Sequence, residues 1–316
     1  AANMSDFTTF VSTPAGWGEP ALAIAACRAG AAGILDAELA TDGARTLLAL
    51  EALATHGRTG YGIRLGTVDE PLAAALRGLA GRGLAWVIAD PALAQAQQPL
   101  LDALRTAGVR VLAEVLTPAP LPAGLESHLD GLWIKGNESG GFVGEDASFI
   151  LLQKWLGRTG LPLYVRGGLT PHVAAACAAV GVAGGVLDAQ LLLLDELRLP
   201  EALRQLIGNL SGSETVAVGN GEQGEYFRVL VRPPMAATKQ FVAEADGLSW
   251  AELRARAPGA VRWAEPAQAL LPVGHDVAFA PLWKKRYGSL ARVLAAIRTA
   301  VQGHAKLAAA QPPIVE

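Results

Sequence analysis

The segment from Lys135 to Asp146, KGNESGGFVGED, combines reactive side chains with a bare stretch of backbone. The lysine directly follows the apolar run Leu132–Ile134, and the glycine pair Gly140-Gly141 comes soon after it. Glycines at such a position often allow another group to approach the backbone closely. A lysine at the end of a strand can form a Schiff base once its neighbours lower its pKa. This segment is therefore the first candidate for a binding or catalytic site.

Polar residues end every apolar run in the first 200 residues of the chain. If the runs are parallel strands, these residues surround one mouth, where ligands of such folds bind. Seven of the positions carry charges of both signs, so two interpretations stay open: solvated strand ends, or a ring of ion pairs that closes the mouth. The positions are Thr13-Pro14, Asp36, Arg64, Asp90, Glu114, Lys135, Arg166 and Asp188.

Eight apolar runs alternate with Ala- and Leu-rich stretches whose apolar residues are spaced three and four apart, which is typical of β-strands alternating with helices. The runs are Phe7–Thr13, Gly33–Asp36, Tyr61–Leu65, Leu84–Asp90, Val109–Val115, Gly131–Lys135, Pro162–Arg166 and Gly184–Asp188. The predicted helices are Glu19–Ala29, Ala44–Thr55, Glu70–Arg82, Ala92–Ala107, Ala147–Arg158 and His172–Val180. Continuous apolar strands suit a parallel sheet covered on both faces. The pattern predicts an α/β fold, a (β/α)8 TIM barrel, with a doubly wound open sheet as the alternative.

The pattern changes after Asp195. Residues 208–224 are rich in Gly, Ser and Asn, which is typical of loops. Beyond them we predict one strand, Tyr226–Val231, and two helices, Ser249–Arg256 and Leu290–Gln302. We therefore expect a barrel over residues 1–200 and a mixed C-terminal extension over residues 201–316 that packs on it. The Pro-rich tail Gln311–Glu316 has the composition of a linker.

Composition excludes several classes of function. The net charge is −3 and the longest basic cluster is Lys284–Arg286, which argues against nucleic acid as a partner. Cys27 and Cys177 lie in Ala-rich helical patterns, so we predict buried thiols and a reducing, cytoplasmic location. The apolar runs fall short of the ~20 residues that span a membrane. The histidines lack metal-ligand spacing, so we expect no metal site.

Three glycine-containing segments carry a resemblance to a known family. Lys135–Phe142 resembles a Gly-x-Glu-Ala-Gly-Gly-His segment, Tyr164–Leu169 an apolar-Ala-Gly-Gly-Ile segment, and Gly181–Val186 a Gly-Ala-Asp-Gly-Val segment. In this order they resemble the flavin-dependent barrels of the nitronate monooxygenase (2-nitropropane dioxygenase) family and the related flavin-containing enoyl-acyl-carrier-protein reductases. The resemblance covers roughly residues 8–195.

The resemblance implies FMN as the cofactor. Backbone N–H groups of Gly140, Gly141, Gly167 and Gly168 would bind its phosphate, as bare backbone and helix N-termini can do. The position of Asp188-Ala189 corresponds to a Gly-Thr pair that gives further phosphate contacts in the family. Beside a bound flavin, Lys135 or Glu138 would have to stabilise charge or supply a proton.

The sequence departs from the family at four positions that would face the flavin. Phe142 replaces the acid/base histidine, and a phenyl ring cannot transfer a proton. Asp188 places a carboxylate where it repels a phosphate unless Lys135 or Arg166 neutralises it. Arg64 replaces the family's asparagine, and the resemblance implies that the indole of Trp17 would fill space that a flavin ring uses in the family. These departures argue against FMN binding.

We therefore favour a degenerate barrel that acts as a structural or docking module, since a fold does not guarantee its usual function. Leu271–Ala280 resembles barrel regions embedded in very large bacterial polyketide or fatty-acid synthases, which implies neighbouring synthase domains and acyl carrier protein as partners and leaves a homodimer open. The alternative is an active FMN-dependent oxidoreductase, an enoyl reductase or nitronate monooxygenase, acting on carrier-bound acyl chains. A third hypothesis is a different barrel enzyme that uses Asp36, Lys135 or Asp188 as acid and base.

Overall fold

The computed structural model describes residues 7–58, 60–233 and 235–310, so the predicted linker 311–316 lies outside the described residues. Eight parallel strands form a closed barrel in chain order. They are β1 (Thr8–Ser12), β2 (Ala32–Ala37), β3 (Tyr61–Leu65), β4 (Leu84–Ala89), β5 (Arg110–Val115), β6 (Gly131–Lys135), β8 (Leu163–Arg166) and β9 (Gly184–Leu187). β9 pairs with β1 and completes the ring. The TIM barrel is therefore confirmed, and the open sheet is wrong.

Helices connect most of the barrel strands. They are α1 (Ala21–Arg28), α2 (Gly43–His56), α3 (Glu70–Leu79), α4 (Pro91–Ala96), α5 (Gln98–Thr106), α6 (Ser148–Trp155) and α7 (Pro171–Ala179). Asp42, Asp69, Asp90 and Thr170 cap the first turns of four of them, because each side chain accepts a hydrogen bond from a free backbone N–H. The Pro-containing connection after β5 holds a short 3-10 helix, Leu125–His128.

Aromatic side chains fill the interior of the barrel below its mouth. Phe10 lies edge-on to Trp86, Trp133 and Tyr164, with ring centroids 4.9, 5.2 and 5.2 Å apart. Such edge-to-face contacts are the preferred arrangement of aromatic pairs. The interior is therefore a packed core, and the charged residues that end the strands lie above it.

The C-terminal part adds a small sheet and five helices. The antiparallel sheet consists of β10 (Thr215–Val218), β11 (Tyr226–Leu230) and β7 (Gly141–Val143), the last inserted after β6. The helices are α8 (Glu201–Ile207), α9 (Ala236–Ala245), α10 (Trp250–Ala260), α11 (Phe279–Arg286) and α12 (Leu290–Ala310). The predictions of β11, α10 and α12 are confirmed, whereas β7, β10, α8, α9 and α11 were not predicted.

These elements pack directly on the barrel. On α12, Val293, Leu294, Ile297 and Val301 are buried in a core that also includes side chains of α1 and α7. Cys27 and Cys177 are buried free thiols, as predicted. Among the described residues, no helix has both the length and the apolar composition needed to cross a membrane.

Candidate functional site

Arg64, in β3, is one of two arginines that hold the charged residues of the barrel mouth together. Its Nη2 donates to Glu38 Oε1 at 2.8 Å and its Nε to Glu114 Oε1 at 3.1 Å, while Nη1 donates to the carbonyl oxygen of Leu65. The side chain is buried. Each of its three nitrogens therefore contacts the protein itself.

Arg166, in β8, is the second arginine. Its Nε donates to Asp188 Oδ2 at 2.9 Å, its Nη1 to Glu114 Oε2 at 2.8 Å and its Nη2 to Asp36 Oδ2 at 3.1 Å. Because Glu114 accepts from both arginines, the ion pairs form one continuous network across the mouth.

The network stabilises the charged form of its central acid. Burial alone would raise the pKa of Glu114, but Arg64 and Arg166 outweigh burial and hold this pKa well below its usual range. The sequence left open whether the charged strand ends are solvated or form ion pairs with one another. The structure shows that they form ion pairs. Asp90 lies apart from this set: it caps α4, and its carboxylate lies 3.4 Å from Arg254.

Lys135, at the end of β6, lies beside the network. Its side chain is buried, and it makes no hydrogen bond or ion pair with the described residues. It lines a cavity of about 20 Å³ together with Thr13, Arg166 and Asp188. Cavities that bind drug-sized ligands measure roughly 300–1,000 Å³. The part of the mouth beside Lys135 therefore has no room for a flavin ring system. On the other side of the mouth, Arg64, Asp90 and Glu114 line an open groove of about 240 Å³, which is still below that range.

The glycine pair at 140–141 packs against the chain itself. A Cβ on Gly140 would lie 2.0 Å from the carbonyl oxygen of Pro272 and 2.4 Å from the Cα of Val273. Gly141 has a φ of +73° and pairs with Arg228 of β11. The chain itself therefore occupies the space beside these glycines, with the segment that crosses the mouth from the C-terminal part.

The glycine pair at 167–168 is covered by an acidic side chain. The carboxylate of Glu138 accepts from the backbone N–H of Ser148, at 3.0 and 3.1 Å, and from its hydroxyl group. A Cβ on Gly167 would lie 2.8 Å from Glu138 Cδ. Gly167 and Gly168 have φ values of +124° and +59°, which favour glycine. Glu138 therefore places a negative charge at the N-terminus of α6, where the helix dipole favours an anion.

Asp188 and Ala189 form the turn after β9. The N–H of Ala189 donates to Asp188 Oδ1 at 2.6 Å, while Oδ2 binds Arg166. The amide side chain of Gln190 accepts from the N–H of Asp188 at 2.9 Å. Arg166, one of the two residues predicted to neutralise Asp188, thus contacts its carboxylate.

Asp276 adds another acidic group that the sequence did not predict for the site. Its carboxyl group is buried between the Asp188 side chain and the Gly168 amide, and as a carboxylate it would accept no well-aligned hydrogen bond from the described residues. Burial, together with the charges of Asp188 and Glu138, raises the pKa of Asp276 well above its usual range. The folded protein therefore holds this carboxyl group in its neutral form.

Because Asp276 keeps its proton in the folded protein, its contribution to the free energy of unfolding depends on pH. Above the ordinary aspartate pKa of about 4 the unfolded chain has lost the proton that the folded chain keeps, so the stability from this group falls as pH rises. Asp276→Asn cannot ionise. We expect urea unfolding to show a gain for this variant over the native protein at pH 7.5, and a smaller gain at pH 4. An equal difference at both pH values would contradict the protonated state.

Phe142 is not part of the ion-pair network of the mouth. Its ring is buried against Phe227 and Trp250, at centroid distances of 4.9 and 5.4 Å, and the guanidinium carbon of Arg254 lies 4.8 Å from its centroid. It belongs to an apolar core formed mainly by the C-terminal part. Its role in this structure is to anchor β7 in that core.

The structure thus brings most of the predicted site residues together. Lys135, Gly140, Asp188 and Ala189 line the small cavity. Glu138, Gly167 and Gly168 lie together, and Phe142 packs elsewhere. Glu38 and Asp276 were missed; only Glu38 had a signal, because it follows Asp36 by two residues and so points to the same side of an extended chain. Within the part of the chain that the structure describes, no group of three or more His, Cys, Asp or Glu residues could hold a metal ion.

Fold and site together define a (β/α)8 barrel whose charged mouth is closed by its own ion pairs and by a C-terminal segment. Among solved structures, the chain is similar to FabK from Thermotoga maritima (18% identity, 97% of this chain and 96% of that chain, TM-score 0.73). It is also similar to nitroalkane oxidase from Streptomyces ansochromogenes (19% identity, 98% and 100%, TM-score 0.68). The enoyl reductase domain of MlnA from the macrolactin biosynthesis cluster of Bacillus amyloliquefaciens is similar as well (12% identity, 95% and 94%, TM-score 0.58).

These similarities confirm, at the level of fold, the resemblance that the glycine segments indicated. The coverage extends over almost the entire chain, so the C-terminal part shares in the similarity. No protein-family model and no curated protein sequence matches the chain.

Proposed function

We propose that this protein is a barrel of the enoyl reductase and nitronate monooxygenase type that has lost the flavin reaction and serves as a structural or docking module. The observation that carries the proposal is the mouth of the barrel. Arg64 and Arg166 each bind two or more buried carboxylates there, and about 20 Å³ remains beside Lys135.

The residues present do not fit FMN. The resemblance assigns its phosphate to the glycine pairs, but the carboxylate of Glu138 covers Gly167 and the backbone of Pro272 covers Gly140. Asp188 and Asp276 add further acidic groups beside the second pair. A phosphate dianion there would meet the carboxylates of Glu138 and Asp188, and repulsion between like charges in a buried site is strong. No step of a reaction is therefore assigned to a flavin in this chain.

A synthase context supports the docking role. The MlnA structure is an enoyl reductase domain from a biosynthesis cluster, and Leu271–Ala280, which resembles synthase-embedded barrels, includes the segment that closes the mouth. We propose neighbouring synthase domains and acyl carrier protein as the partners. A surface that no longer serves catalysis can still bind the domains around it.

We expect no turnover of the two substrate classes that the fold suggests. With FMN and NADH or NADPH added, the rates with crotonyl thioester on acyl carrier protein and with propyl-2-nitronate should equal those of free FMN, because the cofactor has no site. Single-turnover and steady-state absorbance assays measure this. Turnover above the free-flavin rate that Lys135→Met abolishes would establish the active oxidoreductase instead.

The docking role has its own test. Calorimetric titration with the acyl carrier protein and with an adjacent synthase domain should show saturable binding without turnover. Absence of binding to both would contradict the docking role, whatever the result of the activity assay.

A further inference from the structure

A second cavity, of about 480 Å³, lies at the end of the barrel opposite the mouth. Its walls are the amino-terminal ends of β1, β2, β5, β8 and β9, together with one face of α12. This volume lies within the range of ~300–1,000 Å³ that is typical of small-molecule sites. The cavity shares no residue with the charged mouth.

Two arginines give this cavity its charge. The guanidinium carbon of Arg110 lies 4.8 Å from the centroid of the Trp86 ring, a contact that orients the group without using its N–H donors. Arg298, on α12, donates one hydrogen bond to the carbonyl oxygen of Ala29 at 3.2 Å. Among the described residues that line the cavity, none is acidic.

The polar groups next to the cavity leave its positive charge uncompensated and add a hydrogen-bond donor. The nearby carboxylate of Asp130 accepts two hydrogen bonds from Arg105, at 2.9 and 3.0 Å, and one from the N–H of Val111 at 2.8 Å, so its charge is already compensated. Tyr164 also lines the cavity. Burial raises the pKa of its hydroxyl group, which therefore stays protonated and can donate.

We propose that this cavity binds a small organic oxyanion, a carboxylate or a phosphate ester on a compact apolar body. Planar guanidinium groups bind both kinds of oxyanion through paired N–H donors. Arg110 and Arg298 supply these donors from different walls, with the hydroxyl group of Tyr164 beside them. Phe7 and Leu294 provide apolar surface for the body of the ligand.

The test uses the full chain and three probes of similar shape: phenyl phosphate, phenylacetate and the neutral phenylacetamide. Ligand-observed NMR titration at low salt should show saturable binding of at least one anion and none of the amide. Binding of phenyl phosphate alone identifies a phosphate site, and binding of phenylacetate alone identifies a carboxylate site. Absence of binding by both anions, or equal binding of the amide, would overturn the proposal.

Substitutions locate the binding. Arg110→Gln and Arg298→Gln should each weaken binding of the anion by about tenfold or more, because each removes a charged hydrogen-bond donor. Both side chains lie at the surface, so the variants should fold. Arg77→Gln is the matched control: Arg77 is exposed on α3, outside the cavity, and its substitution should leave the affinity unchanged. An unchanged affinity in Arg110→Gln or in Arg298→Gln would overturn the two-arginine site.

Discussion

Replacing Arg166 with methionine is expected to lower the free energy of unfolding by about 3–5 kcal/mol, the usual cost of removing one partner from a buried ion pair. Arg166 binds Asp36, Glu114 and Asp188, and its side chain is 4% exposed. Methionine fills much of the same volume but leaves three carboxylates with less compensation. Urea unfolding at pH 7 measures the change.

An exposed arginine provides the control for this substitution. Arg82 pairs with Glu51 on the surface, where both side chains are about half exposed. Arg82→Met should leave the urea midpoint almost unchanged, because ion pairs in water contribute little. Adding Glu114→Gln to Arg166→Met should restore part of the lost stability, since it removes one uncompensated charge. A loss below about 1 kcal/mol in Arg166→Met would show that the mouth is not the closed, buried network described above.

Gly140→Ala separates the two explanations of the glycine pair. If the pair served only to bind a phosphate, alanine would cost little in the protein without ligand. In the structure its Cβ would lie 2.0 Å from the carbonyl oxygen of Pro272, and this atom belongs to the backbone and cannot simply rotate away. We expect a loss of stability of about 2 kcal/mol or more, above the middle of the range for overpacked sites.

The matched control for Gly140→Ala is Gly78→Ala in α3, where a new Cβ meets no atom within 4 Å. Alanine there should stabilise the protein by about 0.5–1 kcal/mol, because glycine is unfavourable inside a helix. Thermal or urea unfolding of both variants measures the difference. A stability of Gly140→Ala equal to that of the native protein would mean that the segment containing Pro272 does not rest on the glycine pair.

The barrel could be predicted from sequence because its strands are buried on both faces and are therefore short continuous apolar runs. The run Gly131–Lys135, for example, matches β6 without change. The C-terminal part was harder to predict. Its strand β7 has three residues, one of them Gly141, and it is a strand because β11 pairs with it. Local sequence carries no signal for such a contact.

The site was predicted in part for a related reason. Asp36, Arg64 and Arg166 lie near the ends of predicted strands. Because the ends of barrel strands meet at one mouth, the sequence predicted that these side chains lie close together. The ion-pair partners of these residues could not be predicted, because the sequence does not show how far each side chain extends or in which direction. Asp276 belongs to a short 3-10 helix of the C-terminal part, His275–Ala278, and only the tertiary fold brings it beside Asp188.

The most direct test of the central claim is the visible absorption spectrum of the purified protein after incubation with excess FMN and gel filtration. The closed mouth predicts a colourless protein, with no flavin absorbance in the protein fraction. A roughly stoichiometric flavin that stays with the protein and is reduced by NADH or NADPH would contradict this account and establish a flavin site at the barrel mouth.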